Sequence, residues 1–279
     1  MGPKSPVYEY LRYKKKFPTV WCPGCGIGTV MGAIIRAVMS LGYEKNDVVM
    51  VSGIGCSSRM PVYVDFNTLH TTHGRAIAFA TGIKLVKPHL KVIVVTGDGD
   101  GLAIGGNHFI HAARRNIDLT HILINNSIYG MTGGQYSPTT PVGAFAYTAP
   151  YGNIEPDFDV VKLGIAAGAS FVARTTVYHV VQMGKIIEKA LKHKGYSLVD
   201  VISQCPVLYG RLNKMKSPVE MLWWQKEHTV DVRVAAKRSP EELKGKYIVG
   251  IFKDEPDMPE YVTEYQKLID SLKEGVTKR

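Results

Sequence analysis

The chain has 279 residues, of which 45% are hydrophobic, and carries a formal net charge of +10 at pH 7. This length accommodates one large domain or two small ones with a sizeable apolar core. No apolar run is long enough to span a bilayer, and residues 1–16 lack the apolar segment of a signal peptide, so we expect a cytoplasmic protein. The positive charge favours an acidic partner without identifying one. Because nucleic-acid-binding motifs are missing from the sequence, we expect no nucleic-acid partner.

Short apolar runs rich in β-branched residues alternate with helical patterns along most of the chain. The predicted strands are residues 48–51, 92–96, 122–125 and 198–202. The predicted helices are residues 28–41, 74–85, 106–115, 160–167 and 177–193. This alternation predicts an α/β fold, in which a parallel sheet carries helices on both faces.

Two segments depart from the alternation. Residues 129–154 are rich in Gly, Pro, Thr and Tyr and lack periodicity, and loops of this length are usually functional or disordered. After residue 205 the alternation stops. We therefore predict a sheet domain at residues 1–205 and a C-terminal arm with one or two helices at residues 206–279. Its bulky segment MLWW, residues 221–224, is either core or a contact with a partner subunit.

Polar motifs directly follow two of the predicted strands. The motif GDGD, residues 97–100, comes after one strand, and NNSI, residues 125–128, comes at the end of the next. Ligands of parallel sheets gather at the carboxyl ends of strands. There Asp98, the amide oxygen of Asn126 and the carbonyl of Ile128 are hard ligands suited to Mg²⁺, and the glycines let a diphosphate approach the backbone. Each motif alone is more often a turn, but together they resemble the signature of thiamine-diphosphate enzymes.

The chain has four cysteines: Cys22, Cys25, Cys56 and Cys205. The last two follow predicted strands, at the same edge of the sheet as the polar motifs. Cytoplasmic proteins seldom keep disulfides, so the set indicates metal or redox chemistry. Structural zinc usually pairs two local C-x-x-C motifs, and this chain has one. The neighbouring glycines and the Cys205-Pro206 step favour a 4Fe–4S cluster, while zinc and free thiols remain open alternatives.

Seven motifs together carry a resemblance to a known family. They are WCPGCGIG (21–28), GIGCSSR (53–59), TTHGRA (71–76), GDGDGLAIGG (97–106), NNSIYGMTGGQ (125–135), SPTTP (137–141) and Cys205-Pro206. Their order resembles that of the β subunits of the 2-oxoacid:ferredoxin oxidoreductases, especially the 2-oxoglutarate branch. This resemblance implies a thiamine-diphosphate-binding domain of the diphosphate type at residues 1–205, which also binds an iron–sulfur cluster.

The resemblance also assigns roles to individual residues. The implied cluster ligands are Cys22, Cys25, Cys56 and Cys205, and the implied Mg²⁺ ligands are Asp98, Asn126 and the Ile128 carbonyl. The implied lining of the thiamine diphosphate is Ile54, Gly55, Cys56, Ser57, His73, Gly99, Asp100, Gly130 and Met131. The implied catalytic residues are Arg59, His73 and Met131. For each of these three an ordinary structural role is the alternative, and Arg59 would otherwise be a surface or phosphate-pairing arginine.

The implied activity is thiamine-dependent oxidative decarboxylation of 2-oxoglutarate to succinyl-CoA and CO₂, with electrons passed through the cluster to ferredoxin. The alternatives are the same chemistry on pyruvate or branched-chain 2-oxoacids, a non-redox thiamine decarboxylase subunit whose four cysteines hold zinc, and a non-catalytic electron-transfer subunit. Thiamine enzymes also need a glutamate from a pyrimidine-binding domain, for which this chain has no room. We therefore expect an α subunit carrying that domain as partner, with a ferredoxin-like subunit as an optional addition.

Overall fold

The computed structural model describes residues 5–215 and 217–277, with side chains up to residue 273. The outer ends of the two predicted domains, and the start of the segment 1–16, lie outside the described residues. The strands are β1 (Val48–Ser52), β2 (Asn67–His70), β3 (Lys91–Gly97), β4 (Thr120–Asn125), β5 (Phe171–Thr176), β6 (Ser197–Ile202), β7 (Thr229–Asp231) and β8 (Tyr247–Asp254). The helices are α1 (Tyr13–Lys16), α2 (Ile27–Ser40), α3 (Ala76–Val86), α4 (Gly106–Arg114), α5 (Val160–Ala166), α6 (Val180–Lys192), α7 (Pro218–Glu227), α8 (Val232–Ala235) and α9 (Tyr261–Thr277).

The strands form one sheet in the order β2-β1-β3-β4-β6-β5-β8-β7. The first six strands along the chain pair in parallel, whereas β8 runs antiparallel to β5 and parallel to β7. The predicted parallel α/β sheet is therefore confirmed in its main part, and the antiparallel β8 is an addition that the sequence patterns did not predict. Among the described helices, none combines the length and the apolar character that crossing a membrane requires.

Helices cover both faces of the sheet, as the alternation predicted. Alternate strand residues point to opposite faces, so Val95 packs in one apolar cluster with α2 and α6, while Val94 packs in the other with α3, α4 and α5. Both valines are fully buried. The central strands β1, β3, β4 and β6 are buried on both faces, which explains why they are continuous apolar runs in the sequence.

The C-terminal segment corrects one expectation. We predicted an arm with one or two helices, but the segment contributes α7, α8, α9 and two strands, and β8 joins the main sheet beside β5. The strand was hard to predict because Gly250, with φ of +132°, interrupts its apolar residues, and because the register shifts at Val172 and Ala173 of β5. The division of the chain at residue 205 stays a prediction.

The topology brings several loops to one edge of the sheet. Because β1, β3, β4 and β6 are parallel, their carboxyl ends meet there. Each of these strands is followed by a loop or a short turn, including the 3₁₀ turn Ser57–Val62 after β1 and the π-helical turns Gly99–Ile104 after β3 and Pro206–Gly210 after β6. Five of the seven motifs lie on these strand ends or on the loops that follow them, whereas TTHGRA follows β2 and WCPGCGIG precedes and begins α2.

Candidate active site

A cavity of about 220 Å³ opens at this edge of the sheet. Its lining residues come from the loops after β1, β2, β3 and β4, and they are Ile54, Gly55, Cys56, Ser57, His73, Gly97, Asp98, Gly99, Asp100, Ile124, Asn126, Ile128, Tyr129, Gly130, Met131 and Thr132. All residues predicted to line the cofactor are among them. Arg59 is half-buried in the neighbouring turn and does not line the cavity. The roles of all these residues stay predictions.

Asp98 is held at the floor of the cavity by two hydroxyl groups. Its side chain is buried, and Oδ2 accepts a hydrogen bond from Ser137 Oγ and another from Thr139 Oγ1, the latter at 2.7 Å. Burial raises the pKa of the Asp98 carboxyl, although these hydrogen bonds act in the opposite direction. A cation bound nearby would lower the pKa of this buried carboxyl, because a positive charge favours its ionised form.

Two oxygen-bearing groups, the Asn126 amide and the Ile128 carbonyl, lie close to the Asp98 carboxylate. One terminal atom of the Asn126 amide lies 3.2 Å from Asp98 Oδ1 and 2.8 Å from the carbonyl oxygen of Ile128. With its NH₂ group in that position, the amide donates to both oxygens. If the amide is turned by 180°, its oxygen takes that position instead. The oxygens of Asp98, Asn126 and Ile128 then lie together. That donor set, a carboxylate, an amide oxygen and a backbone carbonyl, is the type that Mg²⁺ prefers.

Asp100 ties together the loops that form the cavity wall. Its buried carboxylate accepts hydrogen bonds from the backbone N–H of Gly74 at 2.7 Å and of Ile54 at 3.3 Å, and its Oδ1 lies 2.7 Å from Nδ1 of His73. Burial nevertheless raises the pKa of Asp100. Gly53 is required beside it, because a methyl group there would overlap the Asp100 carboxylate. Asp100 therefore fixes the positions of the loops after β1 and β2 in addition to lining the cavity.

His73 and Tyr129 form one side of the cavity. Their rings meet edge to face with centroids 6.2 Å apart, and the contact with Asp100 fixes the orientation of the imidazole. The Tyr129 ring also packs directly on Gly99, where a methyl group would overlap Cε1 of the ring. Glycine at position 99 is therefore a steric requirement of this wall.

The C-x-x-C segment forms a tight turn at the margin of the cavity. The N–H of Cys25 donates to the carbonyl of Cys22 at 3.0 Å. Gly24 lies between them with φ of +78°, in the left-handed region that favours glycine, and a methyl group there would overlap Pro218 at the start of α7. The turn is joined to the loop after β1 by Trp21, whose Nε1 donates to the carbonyl of Cys56 at 2.7 Å.

The fourth cysteine reaches the same place from β6. The side-chain amide of Gln204 donates to the carbonyl of Gly24 at 2.9 Å, which holds the loop of Cys205 against the C-x-x-C turn. Burial raises the pKa of the Cys25 thiol to about 12 and that of Cys56 to about 11, and it raises the pKa of Cys205 as well. The proximity of the cysteines to one another adds to each increase. The grouped thiols would therefore ionise far more readily beside a bound cation.

Gly130 lies beside both the cavity and the cysteines. It lines the cavity, and a methyl group there would lie 3.4 Å from Sγ of Cys56 and 3.9 Å from Sγ of Cys205. Since Cys56 lines the cavity as well, the cysteine group and the cavity adjoin each other at Cys56 and Gly130.

Sequence reasoning gave no individual role to Ser137, Thr139, Tyr129 or Trp21. The two hydroxyl residues belong to the SPTTP motif, and a cluster of hydroxyls within a loop that lacks periodicity was an available signal. The contacts of Tyr129 with Gly99 and of Trp21 with Cys56 join residues 30 and 35 positions apart. Nothing in the local pattern of residues indicates such contacts.

Comparisons with known proteins identify the fold and the family. The family model of the C-terminal TPP binding domain of thiamine pyrophosphate enzymes matches residues 53–201. A 2-oxoglutarate synthase subunit KorB of Methanothermobacter marburgensis is 54% identical over 253 residues, covering 91% of this chain and 88% of the relative. A subunit with the same name from Archaeoglobus fulgidus is 50% identical over 275 residues, covering 99% of this chain and 98% of the relative.

A solved structure is similar over nearly the whole chain. It is the 2-oxoglutarate:ferredoxin oxidoreductase from Magnetococcus marinus with 2-oxoglutarate, coenzyme A and succinyl-CoA bound. It is 33% identical, has a TM-score of 0.85, and the match covers 96% of this chain and 91% of that chain. The fold and the cavity thus define a thiamine pyrophosphate enzyme. Within that class, the chain belongs to the family of 2-oxoglutarate synthase KorB subunits, which confirms the resemblance carried by its seven motifs.

Proposed function

We propose that this chain is the β subunit of a 2-oxoglutarate:ferredoxin oxidoreductase, and that it holds thiamine diphosphate, Mg²⁺ and a 4Fe–4S cluster. The complete reaction would convert 2-oxoglutarate and coenzyme A into succinyl-CoA and CO₂, with two electrons passed singly to ferredoxin. The observation that carries the proposal is the position of Gly130, which lines the cavity beside the thiols of Cys56 and Cys205. A cofactor in the cavity would be close enough to a cluster on these cysteines to exchange electrons with it.

The residues around Asp98 fit a diphosphate-bound Mg²⁺. Asp98 Oδ1, the Asn126 amide and the Ile128 carbonyl meet at one point, and rotation of the amide would replace an internal hydrogen bond by a third oxygen ligand. Ser137 and Thr139 hold the other carboxylate oxygen and so aim Oδ1 at that point. Mg²⁺ usually has few protein ligands when it also binds phosphate oxygens. The three protein oxygens at this position agree with that preference.

The cysteine group supports an iron–sulfur cluster over zinc. Four thiolates around one Zn²⁺ at about 2.3 Å would stand only roughly 3.8 Å from one another. In the part of the chain that the structure describes, no three His, Cys, Asp or Glu side chains enclose a position for a single metal ion. The four thiols still lie near one another, because each of Cys25 and Cys56 has its pKa raised by neighbouring cysteines. A 4Fe–4S cluster, which is bound by four cysteine thiolates and holds their sulfurs farther apart than one zinc ion does, agrees with both observations. The free thiols also support the expected cytoplasmic location.

When bound, thiamine diphosphate supplies the electron sink that makes loss of CO₂ from a 2-oxoacid feasible. The chain's own residues would orient the reactants. His73, fixed by Asp100, would present its other ring nitrogen as a hydrogen-bonding group at the cavity wall. Met131, whose side chain is 48% exposed, would pack against the substrate or the thiazolium ring and keep water from it.

An α subunit would complete the site. The cavity lining contains no glutamate among the described residues, although thiamine chemistry needs one beside the pyrimidine ring. Ile54 and Met131 line the cavity and are 39% and 48% exposed, which leaves apolar surface at its mouth for a partner to cover. We propose that the partner carries the pyrimidine-binding domain, and that a ferredoxin-like subunit is an optional addition.

Arg59 is our candidate for recognition of the distal carboxylate of 2-oxoglutarate. It lies three residues after Cys56, in the turn Ser57–Val62, and its half-buried guanidinium has no side-chain partner among the residues that the structure describes. An arginine free to make a bidentate contact favours a dicarboxylate over pyruvate. This assignment requires the side chain to turn toward the cavity when substrate binds.

The proposal is tested by co-expressing the chain with its α partner and purifying the complex without oxygen. We expect coenzyme A-dependent reduction of a viologen dye with 2-oxoglutarate, and much slower reduction with pyruvate or branched-chain 2-oxoacids. A complex that contains zinc and releases an aldehyde without reducing the dye would support the rival non-redox decarboxylase. A complex with iron but no thiamine diphosphate would support a non-catalytic electron-transfer subunit.

A further inference from the structure

A run of three lysines lies on the surface beside the cysteine group. Lys14, Lys15 and Lys16 are exposed, and none forms an ion pair with a side chain in the part of the chain that the structure describes. We call these three residues the lysine tract. We propose that the lysine tract, with the neighbouring start of α7, is the docking site of an acidic one-electron carrier protein. This inference rests on the proposed function, since it assumes that electrons leave through a cluster on the four cysteines.

Tyr63 places the tract near the cysteines. This buried residue accepts hydrogen bonds from Arg12 N at its carbonyl, 2.8 Å away, and from Val20 N at its hydroxyl, 2.7 Å away. The rings of Phe17 and Trp21 pack on its ring with centroids 5.7 and 5.0 Å apart. Residues on both sides of the lysines are therefore attached to one residue, Tyr63, through its carbonyl and its side chain, and Trp21 directly precedes Cys22. The tract cannot lie far from the exposed Cys22.

The segments of the chain that contain the cysteines have a positive net charge. Residues 10–43, 53–64 and 203–219, which contain all four cysteines, include no Asp or Glu. The acid that follows Tyr63 in the chain, Asp65, is already engaged by Lys45 at 2.8 Å and Arg12 at 3.6 Å. A basic surface of this kind attracts an acidic partner over several ångströms and increases its rate of association.

The same surface offers apolar contacts that a protein partner would bury. Phe17 and Val20 are 40% and 61% exposed, and Val219 at the start of α7 is 61% exposed. Helix α7 is part of this surface because Pro218 packs on Gly24 of the C-x-x-C turn. Exposed apolar residues near both the lysine tract and the exposed Cys22 fit a small protein partner whose own redox centre must approach the cysteines. Free phosphates or a nucleic acid would use the lysines but not these apolar side chains.

The test compares two triple charge reversals in the complete complex. The first is Lys14→Glu, Lys15→Glu and Lys16→Glu. The control is Lys87→Glu, Arg115→Glu and Lys194→Glu, which changes the net charge equally at exposed positions near the amino ends of the strands, the edge opposite the site. Initial rates are measured with 2-oxoglutarate and coenzyme A, using either an acidic ferredoxin or a viologen dye as acceptor, over a range of salt concentrations.

We expect the first variant to raise KM for ferredoxin by about tenfold or more at low salt and to flatten the salt dependence. The rate with dye, and the KM values for 2-oxoglutarate and coenzyme A, should stay unchanged, and the control should behave as wild type. An unchanged KM for ferredoxin, an equal effect of the control, or a raised KM for coenzyme A would overturn the docking site. Failure of the wild-type complex to reduce either acceptor would instead overturn the proposed function.

Discussion

The indole Nε1 of Trp21 donates a hydrogen bond to the carbonyl oxygen of Cys56 at 2.7 Å. This contact joins the C-x-x-C turn to the loop after β1, which also lines the cavity. We expect Trp21→Phe to keep the packing on Tyr63 but lose the hydrogen bond, worth about 1 kcal/mol. Loss of the cluster in air, followed by visible absorbance, should then be roughly fivefold faster than in wild type. Trp223→Phe, at an exposed tryptophan of α7, is the control; equal rates in all three proteins would contradict a positioning role for Trp21.

Cys205 should be needed for the cluster but not for thiamine binding. Replacing it by serine removes one of four thiolate ligands, while the oxygens around Asp98 remain in place. We expect Cys205→Ser to lose most of its iron and its activity with dye, and to retain thiamine diphosphate at the wild-type level. Ser203→Ala is a matched control two residues earlier, because Ser203 Oγ is buried without a hydrogen-bond partner in the described structure. Full iron content in Cys205→Ser would refute the assignment.

Asp98 should show the opposite pattern. Asp98→Asn keeps the shape of the side chain but removes the charge that Mg²⁺ needs, so we expect the affinities for Mg²⁺ and thiamine diphosphate to fall by about 10- to 100-fold. Iron content should not change, because the cysteines are untouched. Isothermal titration of the apo complex with thiamine diphosphate and Mg²⁺ measures the effect, and Asp257→Asn at an exposed position is the control. Wild-type affinity in Asp98→Asn would exclude this residue as a metal ligand.

Gly99 tests the shape of the cavity wall. Gly99→Ala would place a methyl group well inside the contact distance of the Tyr129 ring. Overpacking of this kind costs about 1–3 kcal/mol, so we expect thiamine diphosphate affinity to drop by about tenfold or more as the ring moves. Gly106→Ala in α4 meets no atom within 4 Å and should bind the cofactor normally. If Gly99→Ala and Gly106→Ala bound thiamine diphosphate equally well, the close packing of Tyr129 on Gly99 would not be needed for cofactor binding.

Arg59 tests substrate choice. If its guanidinium binds the distal carboxylate, Arg59→Ala should raise KM for 2-oxoglutarate by roughly tenfold or more, since charged hydrogen bonds contribute about 1.5–3 kcal/mol. The KM for pyruvate, which lacks that carboxylate, should change little. Arg59→Lys should restore only part of the affinity, because an ammonium group cannot make the bidentate contact. Equal changes for the two acids would remove Arg59 from substrate recognition.

The buried strands were the most predictable part of the fold. Strands β1, β3, β4 and β6 are apolar on both faces, so their sequences stand out without any tertiary information. Strand β5 was missed because it contains Arg174, whose buried guanidinium is paired with Asp200 at 2.6 Å and with Asp159 at 2.9 Å. No local pattern indicates that a charged residue will find such partners. Strand β2 was missed because it is a partly exposed edge strand with little apolar character.

For the site, the residues at strand ends could be predicted and their supporting contacts could not. Asp98 and Asn126 follow buried strands of a parallel sheet, which fixes their edge. The hydroxyls that hold Asp98 come from Ser137 and Thr139, 39 and 41 residues later, through a loop whose path depends on the whole domain. The position of Arg59 could not be predicted either. Its place in the sequence, three residues after Cys56, suggested a residue of the cavity wall, but the structure places it in the turn Ser57–Val62, outside the lining.

The central claim is that one chain holds a thiamine diphosphate and a four-iron cluster in adjoining sites that meet at Cys56 and Gly130. The most direct measurement is chemical analysis of the αβ pair purified without oxygen, combined with electron paramagnetic resonance after addition of 2-oxoglutarate. We predict about four iron and four sulfide per β chain, one thiamine diphosphate, and a reduced-cluster signal that broadens through coupling to a nearby substrate-derived radical. Zinc in place of iron, or a reduced cluster without any coupling, would contradict the account.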